Sequence, residues 1–254
     1  MLKVIAFFLF SSSIYAQVDT LYYSVEGHQV NKMVYNAKVK TNFYHGVRYT
    51  TDTLVVEKIV PNYYYDKLNV VTKSQLCKLF FSRYNIDTTK TLSIRYVDTL
   101  RSKDELPDKN LMVIKDSLGH VLESHSSSTN VFHLKSIKSK GYRCFTPSYK
   151  TYVKSYKSWY KKHKKFKKVV PLVFYGYNSG VSSEIEDVNF YKDYGKLIKK
   201  LFKYEDRNFA HLIIKPSGEF YIRYGFDEIS FKSLFDDDAW TMNRNAFLKE
   251  KLKY

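Results

Sequence analysis

Between Ser148 and Lys168 aromatic and aliphatic residues recur at helical spacing: Tyr149, Tyr152, Val153, Tyr156, Trp159, Tyr160 and Phe166. Lys150, Lys154, Lys157, Lys161, Lys164 and Lys165 occupy the opposite face, and Thr146-Pro147 supplies an N-cap and first-turn pair. Val169 to Tyr175 follows at once as an apolar run of strand length. A helix with one aromatic stripe, joined directly to a strand that is apolar throughout, is stable when the stripe covers the sheet that holds the strand. The same stripe facing lipid, with lysines at anionic headgroups, is the interfacial alternative. The strand that follows favours packing in a core.

The rest of the chain reads as alternating short strands and helices. Thr20 to Val25 alternates as a strand, Val30 to Ala37 as a small helix, and Tyr49 to Val60 as one strand. Thr72-Lys-Ser-Gln75 has the capping-box pattern, opening a helix that buries Leu76, Leu79, Phe80 and Tyr84. Thr91 to Val97 is a strand. Leu111 to Ile114 and His120 to Leu122 pair as a hairpin across Ser117-Leu118-Gly119, and Ser124 to Thr129 is a polar loop. Phe190 to Phe202 reads as an amphipathic helix and Ala210 to Ile214 as a buried strand. Pro216-Ser217-Gly218-Glu219 turns the chain into Phe220 to Tyr224, and a helix follows through Ile229, Leu234 and Phe235.

Met1 to Gln17 has the pattern of an export signal. Lys3 supplies the positive start, Val4 to Phe10 an apolar run too short to span a bilayer, and Ser11 to Ala16 a small-residue approach to cleavage near Ala16. The expectation is a protein of the periplasm, cell surface or exterior. The formal charge is +17, yet only eight of the 42 basic residues are arginine. Lysine is a hydrated point charge without the planar fork that grips phosphates, so nucleic acid is not the expected partner. An anionic envelope component or a protein partner fits better.

From Thr53 to Phe235 the order is strand, helix, strand, long insertion, helix, strand, helix, strand, strand, helix. This order resembles the thioredoxin fold, and Leu212 to Gly225, LIIKPSGEFYIRYG, looks like its closing hairpin. The second half is also similar to exported bacterial proteins of unassigned function that share this ending. The resemblance implies an α/β (α+β) protein with a thioredoxin-like central mixed sheet flanked by helices. It divides the chain into a leader (1–17), an N-terminal extension (18–48), a thioredoxin-like domain (49–240) with an insertion at 99–146, and a C-terminal helix or tail (241–254). Thioredoxin-like oxidoreductases carry a CxxC pair directly after the second strand of this order, where a helix N-terminus lowers the thiol pKa. Here that place reads Asp98-Thr99-Leu100-Arg101, and the fold's proline before the next-to-last strand corresponds to about Ala210. The resemblance therefore implies a protein without thiol-exchange chemistry, and no cofactor is expected.

Cys77 and Cys144 leave three readings open. They form a structural disulfide, worth about 4 kcal/mol by loop closure, or are inert thiols, or Cys144 beside Arg143 is reactive and serves a thiol-dependent enzyme. His120, His125 and His133 near Glu123 fit no tight zinc spacing and read as surface histidines. Asp236-Asp237-Asp238 reads as a solvated helix end, and His211 as a core or rim histidine. Ser128, Ser183 and Ser217 lack a nucleophile-elbow context. The expected interaction surface is Lys154, Lys157, Lys161 and Lys165.

Overall fold

The computed structural model describes residues 19–51, 54–116, 118–128, 142–180, 185–203, 209–224 and 229–252. The leader lies outside the described residues, as do His133 and Ser183. The chain divides into two compact units between Pro61 and Asn62.

The first unit contains β1 (Asp19–Tyr23), β2 (Gln29–Val30), α1 (Lys32–Val39), β3 (Tyr44–Thr50) and β4 (Leu54–Pro61). Its sheet runs β2-β1-β4-β3, with β1 parallel to β4 and the outer pairs antiparallel. Asn31 caps α1 by accepting the Val34 N–H at 2.9 Å. Tyr35 of that helix is buried with Tyr44 and Ile59, stacks on Tyr22, and donates its hydroxyl to the Glu57 carboxylate. Gly46 leaves room for this phenol: a Cβ there would lie 1.9 Å from the Tyr35 oxygen. The expected single strand Tyr49 to Val60 is instead the end of β3, a turn, and β4. Thr51 makes the turn, its N–H donating to Leu54 O at 2.9 Å. Residues 49–50 and 54–60, expected to open the main domain, thus belong to this first sheet.

The second unit opens with β5 (Tyr63–Lys67), α2 (Val70–Tyr84) and β6 (Thr91–Leu100). An inserted sheet follows, made of β7 (Asn110–Lys115), β8 (Val121–Ser127) and β9 (Tyr142–Thr146) in the order β8-β7-β9. The chain then continues through α3 (Tyr149–Lys164), β10 (Val169–Asn178), β11 (Phe190–Lys192), α4 (Leu197–Phe202), β12 (His211–Ile214), β13 (Glu219–Arg223), α5 (Phe231–Phe235) and α6 (Asp237–Lys251). The main sheet has the order β11-β10-β6-β12-β13-β5. β6, β10 and β11 are parallel, and β12, β13 and β5 add antiparallel to one another and to β6. The architecture is mixed α/β.

Strand alternation divides this sheet into two faces. Leu92, Ile94, Leu172, Phe174, Leu212 and Ile222 meet Leu76 and Phe80 of α2 and Ile198 and Phe202 of α4 on one side. On the other side Val173 meets Tyr149, Val153 and Tyr156 of α3. The same side carries the α6 contact, where Trp240 stacks edge-on against Tyr65 at 5.1 Å and Phe247 lies 5.8 Å from Tyr63.

Local chemistry moved three boundaries from their expected places. α2 starts at Val70, because Asn69 accepts the Thr72 N–H at 2.8 Å, so Thr72 is inside the helix instead of capping it. It ends at Asn85 in the left-handed region, with the Ile86 and Asn85 N–H groups bonded to Phe80 O and Phe81 O and Ile86 buried. Phe190 to Phe202 is not one helix. Asp193 turns the chain after β11, its carboxylate accepting the Ile198 and Lys199 N–H groups at 3.1 and 3.0 Å, and Gly195 and Lys196 adopt φ of 68° and 54°. The hairpin β7–β8 forms, but β8 runs on to Ser127 through the stretch expected as a loop.

Candidate functional site

Helix α3 begins at Ser148, whose hydroxyl accepts the Thr151 N–H at 3.3 Å and donates to Thr151 Oγ1 at 3.1 Å. The Ser148 N–H in turn donates to Asn110 Oδ1 at 2.8 Å, and the Tyr149 N–H to Pro107 O at 3.2 Å. Thr146, expected as the cap, is the last residue of β9. The inserted segment thus anchors the helix start. Tyr149, Val153, Tyr156, Tyr160 and His163 are buried along one face. Nine lysines and no acidic residue occur from Ser148 to Lys168, and all nine side chains are exposed. Lys154, Lys157 and Lys161 line up on the helix and Lys165 is its C-cap. Among the described residues, none of Lys150, Lys154, Lys157, Lys161, Lys164 and Lys165 has a carboxylate within ion-pair distance. Those in the last turn are favoured by the negative end of the helix dipole.

Beneath the helix lies a buried polar layer, of which the sequence reading names only His211, as a core or rim histidine. His211, the first residue of β12, is 1% exposed, and its Nε2 lies 2.9 Å from the hydroxyl of Ser93, which is wholly buried. His163 of α3, also wholly buried, has its ring centroid 5.5 Å from that of His211. Its Nδ1–H donates to Trp159 O at 2.7 Å, which leaves the lone pair on Nε2. Phe231 and Phe235 of α5 close the layer edge-on over His163. Arg95 stacks its guanidinium on Tyr156 at 4.0 Å and donates to Ser155, and Arg223 lies over Phe231. Burial lowers the His163 pKa to about 4, against a weaker pull from its bond to Trp159 O. Burial first, then the charges of His163, Arg223 and Arg95, holds His211 well below the ordinary imidazole range. The Ser93–His211 pair has the spacing of a nucleophile and its base. It is nevertheless sealed from solvent, and neither Nδ1 of His211 nor Nε2 of His163 has a hydrogen-bond partner among the described residues. Among the described residues no carboxylate bonds to either imidazole, and both rings are buried among aromatic side chains.

The corner at the C-terminal end of β6 is filled by the protein itself. Asp98 pairs with Lys199, the Arg101 N–H donates to the Tyr152 hydroxyl at 3.1 Å, and Ser179 donates its hydroxyl to Leu100 O. Phe209 packs on Tyr96 at 5.2 Å, and the Ala210 N–H donates to Arg223 O at 3.0 Å.

The other sequence candidates are scattered. Cys77 and Cys144 are both free and half-buried, so the bridge considered from sequence is not formed. Cys77 lines a cavity of about 20 Å³ with Phe80 and Ile214, room for about one water. Cys144 stands opposite Val113 at the midpoint of β9, an outer strand of the inserted sheet. His120 bonds Asp116 at 3.1 Å as an exposed local pair, and His125 bonds Glu123 at 3.0 Å as a half-buried one. Among the described residues no group of three or more His, Cys, Asp or Glu converges to hold a metal. Asp236 is the N-cap of α6, accepting the Ala239 N–H at 2.9 Å, and Asp237 and Asp238 occupy its first turn. Ser217 caps the β12–β13 turn through Glu219, and Ser128 is exposed. Among the described residues no helix is long and apolar enough to cross a membrane.

Comparison with protein-family models, with curated proteins and with solved structures finds no match.

Proposed function

We propose that this chain is an exported, non-catalytic thioredoxin-like protein that binds a partner or ligand. The leader pattern of Met1 to Gln17 supports export. The fold reading draws on four adjacent strands, β10-β6-β12-β13, of which the first two are parallel and the last two close as an antiparallel hairpin. Helices α2 and α4 cover one face of that set and α3 the other, as the resemblance implies.

One observation carries the non-catalytic reading. In this arrangement the thiols of an oxidoreductase would sit in the first turn of the helix after β6, and the insertion moves that turn from Asp98–Arg101 to Ser148–Thr151. Two hydroxyls bonded to each other stand there in place of two thiols. A hydroxyl at a helix N-terminus caps the helix, but its pKa stays far too high for it to become a nucleophile by dipole alone. Ala210 points the same way: its N–H is spent on Arg223 O, a bond that proline lacks.

Reduction of insulin by dithiothreitol tests the proposal. The protein is expected to leave the rate at that of the reductant alone. Acceleration that disappears in Cys144→Ser would replace the binding role with a thiol enzyme. The double variant Ser148→Cys with Thr151→Cys is expected to gain a reversibly oxidised pair, read by mass after alkylation.

A second reading is favoured by the exposed lysines of α3. They make this helix a cationic binding surface toward the envelope, with Lys154, Lys157, Lys161 and Lys165 at its centre.

A further inference from the structure

We infer that the partner of the α3 ridge is a linear polysaccharide carrying one carboxylate or sulfate on each sugar, an inference that rests on reading this helix as the binding surface.

The first ground is what the helix has already committed. Tyr149, Val153, Tyr156 and Tyr160 are in the core with Val173, so no apolar stripe remains to enter a bilayer. The same rings are unavailable as stacking platforms for unpaired bases. Recognition is left to charge and hydrogen bonding from the lysines.

The second ground is spacing. Lys150, Lys154, Lys157, Lys161 and Lys164 or Lys165 follow one another at steps of three or four residues, which keeps them on one stripe. At about 1.5 Å per residue the ammonium groups step along the axis by about 5 Å, over a ridge of roughly 22 Å. A DNA duplex presents one charge per about 1.7 Å, far denser than this ridge. A polysaccharide with one charge per sugar presents charges at an interval comparable to the lysine step. Solvated carboxylates and sulfates on a flexible chain also suit ammonium point charges, which need no bidentate geometry.

The third ground is shape. A groove of about 390 Å³ runs beside the helix, lined by Lys157, Tyr160, Lys161, Lys164, Asp187 and Val188. A second, of about 300 Å³, lies at its N-terminal end between Lys150 and Lys103, with Tyr149 and Asp108 in its walls. Three lysines face one aspartate in the first groove, a net positive lining suited to an anionic chain.

Binding is measured for the whole protein against polygalacturonate, a dextran sulfate substituted at one sulfate per glucose, vesicles of phosphatidylglycerol and duplex DNA, at two salt concentrations. The quadruple variant of Lys154, Lys157, Lys161 and Lys165 to Ala is compared at each, with its melting temperature as a check on folding. The expected result is salt-sensitive binding to at least one of the two polysaccharides, stronger than to vesicles or DNA, and weakened about tenfold or more in the variant. Ridge-dependent binding to vesicles or DNA alone would overturn the polysaccharide and keep the cationic surface. Binding of all four probes unchanged in a folded variant, or no binding at all, would overturn both.

Discussion

At the residue scale the buried imidazoles make stability depend on pH. The unfolded His163 takes a proton near pH 6.5, and the folded one resists it down to about 4, with His211 displaced in the same direction. Between those limits the unfolded state binds more protons at His163, so stability falls as pH falls, by about 1.4 kcal/mol per pH unit, and His211 adds in the same direction. Arg95, Arg223 and Lys162 add positive charge to the same neighbourhood and deepen the effect. Urea unfolding at pH 7 and pH 5 is expected to show that loss, and His163→Phe, which keeps a ring between Trp159 and Phe235, is expected to reduce it. An unchanged difference in the variant would locate the pH dependence elsewhere. In the first unit, Gly46→Ala would drive a methyl into the Tyr35 hydroxyl and push the phenol off Glu57. A loss of about 1–3 kcal/mol is expected, read as a drop in the urea midpoint of that unit.

At the element scale the helix caps carry the testable energetics. Ser148→Ala removes the acceptor for Thr151 N–H, and Asn69→Ala does the same for Thr72 N–H, each at about 1 kcal/mol. Chemical denaturation of the single and double variants is expected to give additive losses, since the two helices lie on opposite faces of the sheet. These caps also explain where the sequence misled. Asn69 precedes Val70 and Val71, two exposed β-branched residues, while Thr72 and Gln75 three residues apart imitate a start signal. The stretch Phe190 to Phe202 keeps helical periodicity in sequence, yet Phe190–Lys192 pairs as β11, and Asp193 with the left-handed Gly195 and Lys196 turns the chain before α4. Periodicity did find the α3 stripe, the run after it and the closing hairpin, because each is long or tightly punctuated. His211 is legible as a core or rim histidine at the start of an apolar strand, whereas His163 escaped because it sits among lysines. It lies seven residues after Tyr156 and three after Tyr160, on the buried face, and that spacing was the available signal.

At the scale of the whole molecule, the second unit has its own sheet with a helix layer on each face, so the fragment 62–254 is expected to fold alone. Dispersed amide resonances and a cooperative thermal transition in that fragment would establish it, and a chain without either would refute it. Its architecture uses aromatic rings at nearly every layer: Tyr65, Tyr221 and Trp240 under α6, Tyr156 under α3, Phe174 and Phe80 under α2. Cations lie on these rings too, Arg95 on Tyr156 and Lys215, which also pairs with Asp237, on Trp240. Cys77 on α2 and Cys144 on β9 take no part in that stabilisation, being left unjoined. The fold consequently owes nothing to covalent cross-linking. It is expected to melt at one temperature with or without a reductant, and to reach its native shape in surroundings of either redox character, with no oxidase to wait for and no wrong pairing to undo.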